Sequence, residues 1–323
     1  GAGYCRSNWA LREAKSISCH EHKSYGKPEL MSQTDFAESV SFREAKVAVV
    51  GLGLMGGSLA LALHGHCAEL IGFDPNPQVL RQALQQQVIN RGSMNLREAL
   101  QGADLIVMAA PVLAILDLLR NLDQLLPTPA VILDLGSTKV EIMAAMENLP
   151  KRFDPLGGHP MCGKEKASLD NAEAQLYRGA VFALTPLPRT TKRAKAIALE
   201  LVAAIGARPL WVEPEQHDCW VAATSHLPYL LANALTLATP DDAAPLIGTG
   251  FLSTTRLASS YAPMMLGVLQ TNRQNVLEIL RVFRSKLGEF ERCLENGDLA
   301  TLEGLLMNSA CQHQKLTSGR ECD

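Results

Sequence analysis

His159 stands in the stretch PLGGHPMCGKE, residues 155–165, with Gly157 and Gly158 before it and Pro160 after it. A neutral imidazole is the side chain best suited to take a proton near neutral pH. The bare surroundings predict a loop on which Gly157 and Gly158 let a substrate and a cofactor approach closely. His159 is therefore a candidate general base; the alternative is a surface histidine on a flexible turn. Upstream, Gly51, Gly53 and Gly56 form the pattern G-L-G-L-M-G. At such a spacing the first glycine permits a tight turn, the second lets the backbone approach a pyrophosphate, and the third lets a helix pack closely. Asp74 follows about 20 residues on, where a carboxylate would accept from a ribose 2′-OH and repel a 2′-phosphate. This favours NAD as cofactor, with NADP as the second candidate. Leu54 and Met55 within the turn, and Ala110 and Pro111 after a later strand, complete the candidate cofactor contacts. The alternative is a glycine turn closed by a capping aspartate.

These groups need a scaffold, and the hydrophobic pattern supplies one. KVAVVG, ELIGFD, DLIVMAAP, AVILDLG, AVFALTP and RPLWVEP read as buried strands. Helical stretches alternate with them, including PQVLRQALQQQ with Pro77 at its start and a later helix closed by Gly206. The predicted fold class is α/β, a Rossmann-like parallel sheet with right-handed crossovers, followed by an all-helical part. The boundaries are residues 1–45 as a flexible N-terminal tail, 46–213 as a dinucleotide-binding domain, and 214–323 as a helical substrate and dimerisation domain. Met31 is a candidate native start. Residues 215–238 read as one long apolar helix bent near Pro228. The helical part is small and rich in leucine, which predicts a homodimer that completes its core with a second copy.

The 323 residues are 47% hydrophobic and 20% charged, with a formal net charge of −3. Both signs are spread along the chain, so nucleic acid is not an expected partner. No run of apolar residues reaches the ~20 needed to span a bilayer, and the first 45 residues do not read as a secretory or transit signal. The expected location is cytoplasmic, with no membrane partner. None of the eight cysteines forms a C-x-x-C pair or a zinc-like cluster with histidine, so no metal is expected and the thiols read as reduced.

The motifs GLGLMGGSLA, LDLGSTK, GGHPMCG, EQHD, SHLPY and FLSTTRLASS occur in the order found in prephenate/arogenate dehydrogenases, which this chain resembles from residue 46 to about 310. The resemblance implies an NAD- or NADP-dependent oxidative decarboxylation of a cyclohexadienol on the route to tyrosine, by a dimer joined through its helical domain. It implies that His159 takes the proton of the ring hydroxyl, that Ser137 helps orient that hydroxyl and the histidine, and that Arg256 binds a substrate carboxylate. An arginine suits a planar carboxylate by a two-point contact. Thr138 and Glu141 form a plausible T-x-x-E capping box, which leaves Ser137 less needed as a cap. His217 is a further site candidate near the domain junction. His226 is either a site residue or a satisfied core histidine; nine residues from His217, it lies on the opposite face of a straight helix at about 100° per residue.

Two positions depart from the family pattern. Tyr229 replaces a histidine that lines the side-chain end of the substrate, which tilts the expected substrate from prephenate to arogenate. Cys162 replaces an alanine and reads as packing. A rival of similar architecture, a 3-hydroxyacid dehydrogenase, would carry a lysine base on the first long helix of the second domain, and residues 215–238 contain no lysine. A rival of a different class, a nonenzymatic NAD-sensing protein, would need neither base nor substrate arginine.

Overall fold

The computed structural model describes residues 41–164 and 168–318. Its strands are β1 (Lys46–Val50), β2 (Glu69–Phe73), β3 (Arg91–Gly92), β4 (Leu105–Met108), β5 (Ala130–Asp134), β6 (Phe153–Pro160), β7 (Val181–Pro186) and β8 (Arg208–Trp211). They form one sheet in the order β3-β2-β1-β4-β5-β6-β7-β8. The interleaved helices are α1 (Leu54–Leu63), α2 (Pro77–Gln85), α3 (Leu96–Leu100), α4 (Val112–Leu125), α5 (Val140–Glu147) and α6 (Lys192–Ala204). After Trp211 the described chain is helical: α7 (Pro214–Val221), α8 (Leu227–Ala238), α9 (Thr249–Thr255), α10 (Ala262–Thr271), α11 (Arg273–Asn296) and α12 (Leu299–Ser318). No helix among the described residues is long and apolar enough to cross a membrane.

The apolar strands are covered on both faces, which is why they read as continuous hydrophobic runs. Val47, Val49, Leu105, Val107, Val131 and Leu133 pack into one core cluster, while Ala48, Val50, Ile106, Met108 and Ile132 pack into the other. Each buried Val, Leu, Ile or Met among them contributes roughly 1.5–3 kcal/mol by leaving water. The register aligns the carboxyl ends of the central strands, with Val50 opposite both Phe73 and Met108, and Met108 opposite Asp134. Ligands bind outside these ends in open α/β sheets. Helix α7 packs on α5, and α10 on α4, so the helical part meets the sheet layer at that side of the molecule.

Several elements differ from the sequence expectation. His159 is not on a loop. It lies in β6, which runs parallel to β5 only as far as Leu156 and then continues beside β7, with His159 opposite Ala183. The β6–β7 pair is antiparallel, the one exception among the strand pairs of the described sheet. Gly157 and Gly158 serve packing rather than flexibility. A Cβ on Gly157 would collide with Thr185 Oγ1, and one on Gly158 would sit 2.6 Å from the Asp134 carbonyl oxygen. Glycine and proline conceal a strand whose backbone must approach its neighbours closely.

Residues 1–40, and Met31 with them, lie outside the described residues, but Phe42–Glu44 form a short 3-10 helix, and Phe42 and Ala45 are buried. The helix over 215–238 is not simply bent at Pro228. Residues Ala222–His226 form a π-helical turn, with the Leu227 amide bonded to the Ala222 carbonyl. Pro228 has no N–H to give and its ring crowds the preceding turn, and widening that turn by one residue absorbs both. The T-x-x-E capping box also fails to form. Lys139, not Thr138, occupies the N-cap position of α5 and makes no side-chain cap bond. Thr138 instead shares a hydrogen bond with Thr271, 2.8 Å away. Finally, the thiols are not all reduced: Cys67, Cys162 and Cys293 are free, whereas Cys219 and Cys311 are disulfide-bonded. Chain spacing alone does not reveal such pairing.

Candidate functional site

The first half of the site is the β1–α1 turn. Gly51 has φ +96°, and its amide donates to the Phe73 carbonyl at 2.8 Å, tying the turn to β2. A Cβ there would meet the Ala109 carbonyl oxygen at 2.5 Å, so glycine is required on both counts. A Cβ on Gly56 would collide with the Gly51 carbonyl, which places the start of α1 hard against the turn. At Gly53 an added Cβ would meet nothing within 4 Å, and Gly53, at the N-cap of α1, gives no side-chain cap bond. The helix thus presents amide donors and a partial positive charge to open space, which is what an anionic phosphate requires. Leu54 is buried, and the Met55 carbonyl accepts from the Tyr177 hydroxyl at 2.6 Å. Ala110 and Pro111 follow β4, with Pro111 at the N-cap of α4.

Asp74 directly follows β2. Its Oδ2 accepts from the Leu52 amide and its Oδ1 from the Asn76 amide, each at 2.9 Å. It therefore braces the glycine turn from the next strand, and the carboxylate stands beside that turn, where a ribose would be read. Gly51, Gly53, Gly56 and Asp74 fit a bound dinucleotide.

The second half is a chain of hydrogen bonds. His159 Nδ1 lies 2.8 Å from His217 Nε2. His217 Nδ1 lies 2.8 Å from Asp218 Oδ1. The Asp218 carboxylate also accepts the Lys139 amide at 2.7 Å and the Val140 amide at 3.0 Å, so it caps α5 from α7. Asn272 closes the group, donating to the Asp218 carbonyl at 2.7 Å and meeting His226 Nδ1 at 3.2 Å. His217 thus meets the Asp218 carboxylate directly, while His226, which ends the π turn, is linked to the Asp218 carbonyl only through Asn272. His226 is buried and partnered, as a core histidine is.

Behind His159 lies a buried ion pair. Lys139 Nζ pairs with Asp134 Oδ2 and donates to the Gly158 carbonyl at 2.7 Å, and both charged side chains have 0% exposure. Asp134 further accepts from the Gly136 amide at 2.8 Å and the Gly158 amide at 3.1 Å. The residue before His159 is thus held through both its amide and its carbonyl. Asp134, Lys139, Asp218 and Asn272 escaped the sequence reading. Asp134 and Lys139 were visible as opposite charges closing an otherwise apolar strand and opening a helix, and Asp218 as an acid next to His217.

Burial drives the electrostatics. It holds His159 well below the usual imidazole range, with His217, the Lys139 cation and His226 adding to the effect in that order. His226 is pushed down to about 4, chiefly by burial, although the Asp218 charge acts in the opposite direction. Burial also lowers Lys139, opposed by Asp134. His159 is thus neutral at physiological pH, and partial solvent access leaves it open to a reactant. Cys162, three residues on, is raised to about 11 by burial and is no nucleophile.

The remaining candidates lie on nearby elements. Ser137 is half-buried ahead of α5, and no hydrogen bond joins it to His159 among the described residues. Tyr229 is half-buried on α8. Arg256 is exposed in a 3-10 turn, Arg256–Ser259, that packs on α8. Among the described residues no cluster of His, Cys, Asp and Glu could hold a metal ion.

Comparison with known proteins agrees with this arrangement. Residues 59–210 match the family model for the prephenate dehydrogenase nucleotide-binding domain, and residues 213–308 match that for the prephenate dehydrogenase dimerization domain. The chain is 30% identical over 266 residues to a prephenate dehydrogenase of Bacillus subtilis, covering 79% of this chain and 72% of the relative. The structure of prephenate dehydrogenase from A. aeolicus in complex with hydroxyphenyl propionate and NAD+ is 28% identical, with a TM-score of 0.79, over 86% of this chain and all of that one. Synechocystis arogenate dehydrogenase is also 28% identical, with a TM-score of 0.72, over 84% of this chain and all of that one. With both domains matched in order across a Rossmann-like sheet and the helices that follow it, the chain belongs to the prephenate/arogenate dehydrogenase family of oxidoreductases.

Proposed function

We propose that the chain oxidatively decarboxylates a cyclohexadienol, arogenate to tyrosine or prephenate to 4-hydroxyphenylpyruvate, with arogenate preferred. The observation that carries this reading is the neutral His159, held at the carboxyl end of the sheet that also carries the glycine turn. NAD would supply the hydride acceptor, with Gly51, Gly53 and Gly56 at its pyrophosphate, Leu54, Met55, Ala110 and Pro111 around it, and Asp74 at its ribose; NADP is the second candidate. His159 takes the ring hydroxyl proton, Ser137 helps place that hydroxyl, and Arg256 holds a carboxylate. Tyr229 sets the side-chain end of the substrate, and His217 and His226 are kept as further residues of the site. Loss of the ring carboxylate as CO₂ makes the ring aromatic, so the protein mainly has to orient groups and accept one proton.

Residues 46–213 would then form the cofactor domain and 214–323 the substrate and dimerisation domain. Leu287 and Leu294 on α11, and Leu299, Leu306 and Met307 on α12, are exposed, and a second copy covering them supports the homodimer. The test is the initial rate of nicotinamide reduction with arogenate or prephenate, each paired with NAD or NADP. Turnover of arogenate with NAD, faster than of prephenate or with NADP, is the expected result. Cofactor binding without turnover in any pairing removes the reading in favour of a hydroxyacid dehydrogenase or a sensor.

A further inference from the structure

We propose that His217, oriented by Asp218, is a positioning residue that keeps His159 in its Nδ1–H tautomer, so that Nε2 faces the substrate as a bare lone pair. This rests on the reading of His159 as the base. The carboxylate of Asp218 accepts two backbone amides at the start of α5, which fixes it as an acceptor. His217 Nδ1, 2.8 Å from Asp218 Oδ1, must therefore donate. In neutral His217 the other nitrogen, Nε2, is then an acceptor. His159 Nδ1, 2.8 Å from it, must donate in turn. One proton remains to a neutral imidazole, so His159 Nε2 carries none, and it has no hydrogen-bond partner among the described residues.

The rings meet edge to face at 65° with centroids 5.0 Å apart, which aims one ring nitrogen at the other. The strand pairing of β6 with β7 and the grip of Asp134 and Lys139 on Gly158 fix the backbone beneath His159. When Nε2 takes the substrate proton, the imidazolium keeps its Nδ1–H on His217, and the Asp218 charge lies one ring further away. No second proton moves. A histidine tautomer is set by the bond its other nitrogen makes, and here that bond is dictated from α7 rather than by Ser137.

The test uses the full-length protein labelled with 15N in histidine and a long-range proton–nitrogen spectrum at about pH 8, where neutral imidazole dominates. His159 should show a protonated Nδ1 and an unprotonated Nε2, and so should His217. The variant His217→Leu removes the acceptor; the His159 signals should become those of mixed tautomers, and kcat should fall up to roughly 10²-fold with KM little changed. His217→Gln returns a carbonyl acceptor towards His159 and an amide donor towards Asp218, and should recover most of that loss. A protonated Nε2 on wild-type His159, or equal losses in the Leu and Gln variants, overturns the proposal. The wild-type spectrum decides the matter even if the Leu variant fails to fold. A spectrum as expected, combined with an active His159→Asn variant, would leave the relay standing and remove the base.

Discussion

Lys139 and Asp134 pair across the turn from β5 to α5 with neither side chain exposed, and the same ammonium reaches the Gly158 carbonyl. Two charges are removed from water here to fix one residue of the next strand. Such pairs add little net stability, but losing one partner strands the other.

Lys139→Met should therefore destabilise the fold by about 3–5 kcal/mol. Denaturant unfolding of the purified protein measures it. A double variant that also replaces Asp134 with Leu should regain part of the loss, since no buried charge is left. A single variant within 1 kcal/mol of wild type, roughly the worth of an exposed pair, would show that the pair is hydrated in solution.

Acid should unfold the protein partly through His226. Its folded value is about 4, against an ordinary value of 6.5. Between those two values the unfolded chain binds a proton that the folded chain refuses. The stability held above pH 6.5 is thus lost as pH falls towards 4, by about 3 kcal/mol for the whole window. His226→Asn keeps an acceptor for Asn272 and cannot titrate. Its stability should fall less steeply over that window, whatever its value at neutral pH; an unchanged slope would place the titration elsewhere.

The parts legible in the sequence are those set by local rules. Gly51, Gly53, Gly56 and Asp74 announce themselves by spacing, and the strands from KVAVVG to AVILDLG by apolar runs that both faces of a sheet demand. β6 was hidden because its glycines answer to neighbours distant in the chain, Thr185 and Asp134. The cap of α5 was misread for a similar reason. Thr138 and Glu141 satisfy the local pattern, yet Asp218, 79 residues from Lys139, takes the amides. The meeting of His159 with His217 spans 58 residues, and no local pattern reports a contact over such a separation.

His159→Asn should lower kcat roughly 10²–10⁴-fold with modest change in KM, because it removes a proton acceptor rather than a binding contact. The pH profile of the wild-type enzyme carries the same information. His159 works only when neutral, and burial holds it well below the usual imidazole range. The acid limb attributable to His159 should thus lie below that range, with the rate surviving mild acid. A limb centred at the ordinary value would assign the base elsewhere.

Arg256→Ala should mainly raise KM. If Arg256 holds a carboxylate that is present before and after hydride transfer, it binds ground and transition states alike. Arg256→Lys should recover little, since one ammonium cannot make the two-point contact. Steady-state kinetics on the three proteins separates the cases, and unchanged KM in the alanine variant would remove Arg256 from the site.

Asp74→Asn should weaken NAD and narrow its advantage over NADP. The carboxylate already accepts the Leu52 and Asn76 amides, and its charge is what favours a hydroxyl over a phosphate at that place. Asparagine can keep one amide bond but loses the charge. A hydrogen bond to a charged group is worth about 1.5–3 kcal/mol, so the dissociation constant for NAD should rise roughly 10- to 100-fold. The constant for NADP should rise less or fall, because a repulsion disappears with the charge. Titration of both cofactors against both proteins by nicotinamide fluorescence of the reduced forms reads the two changes together. Equal weakening of the two would mean that Asp74 only braces the glycine turn, and the choice of cofactor would then rest on residues other than this one.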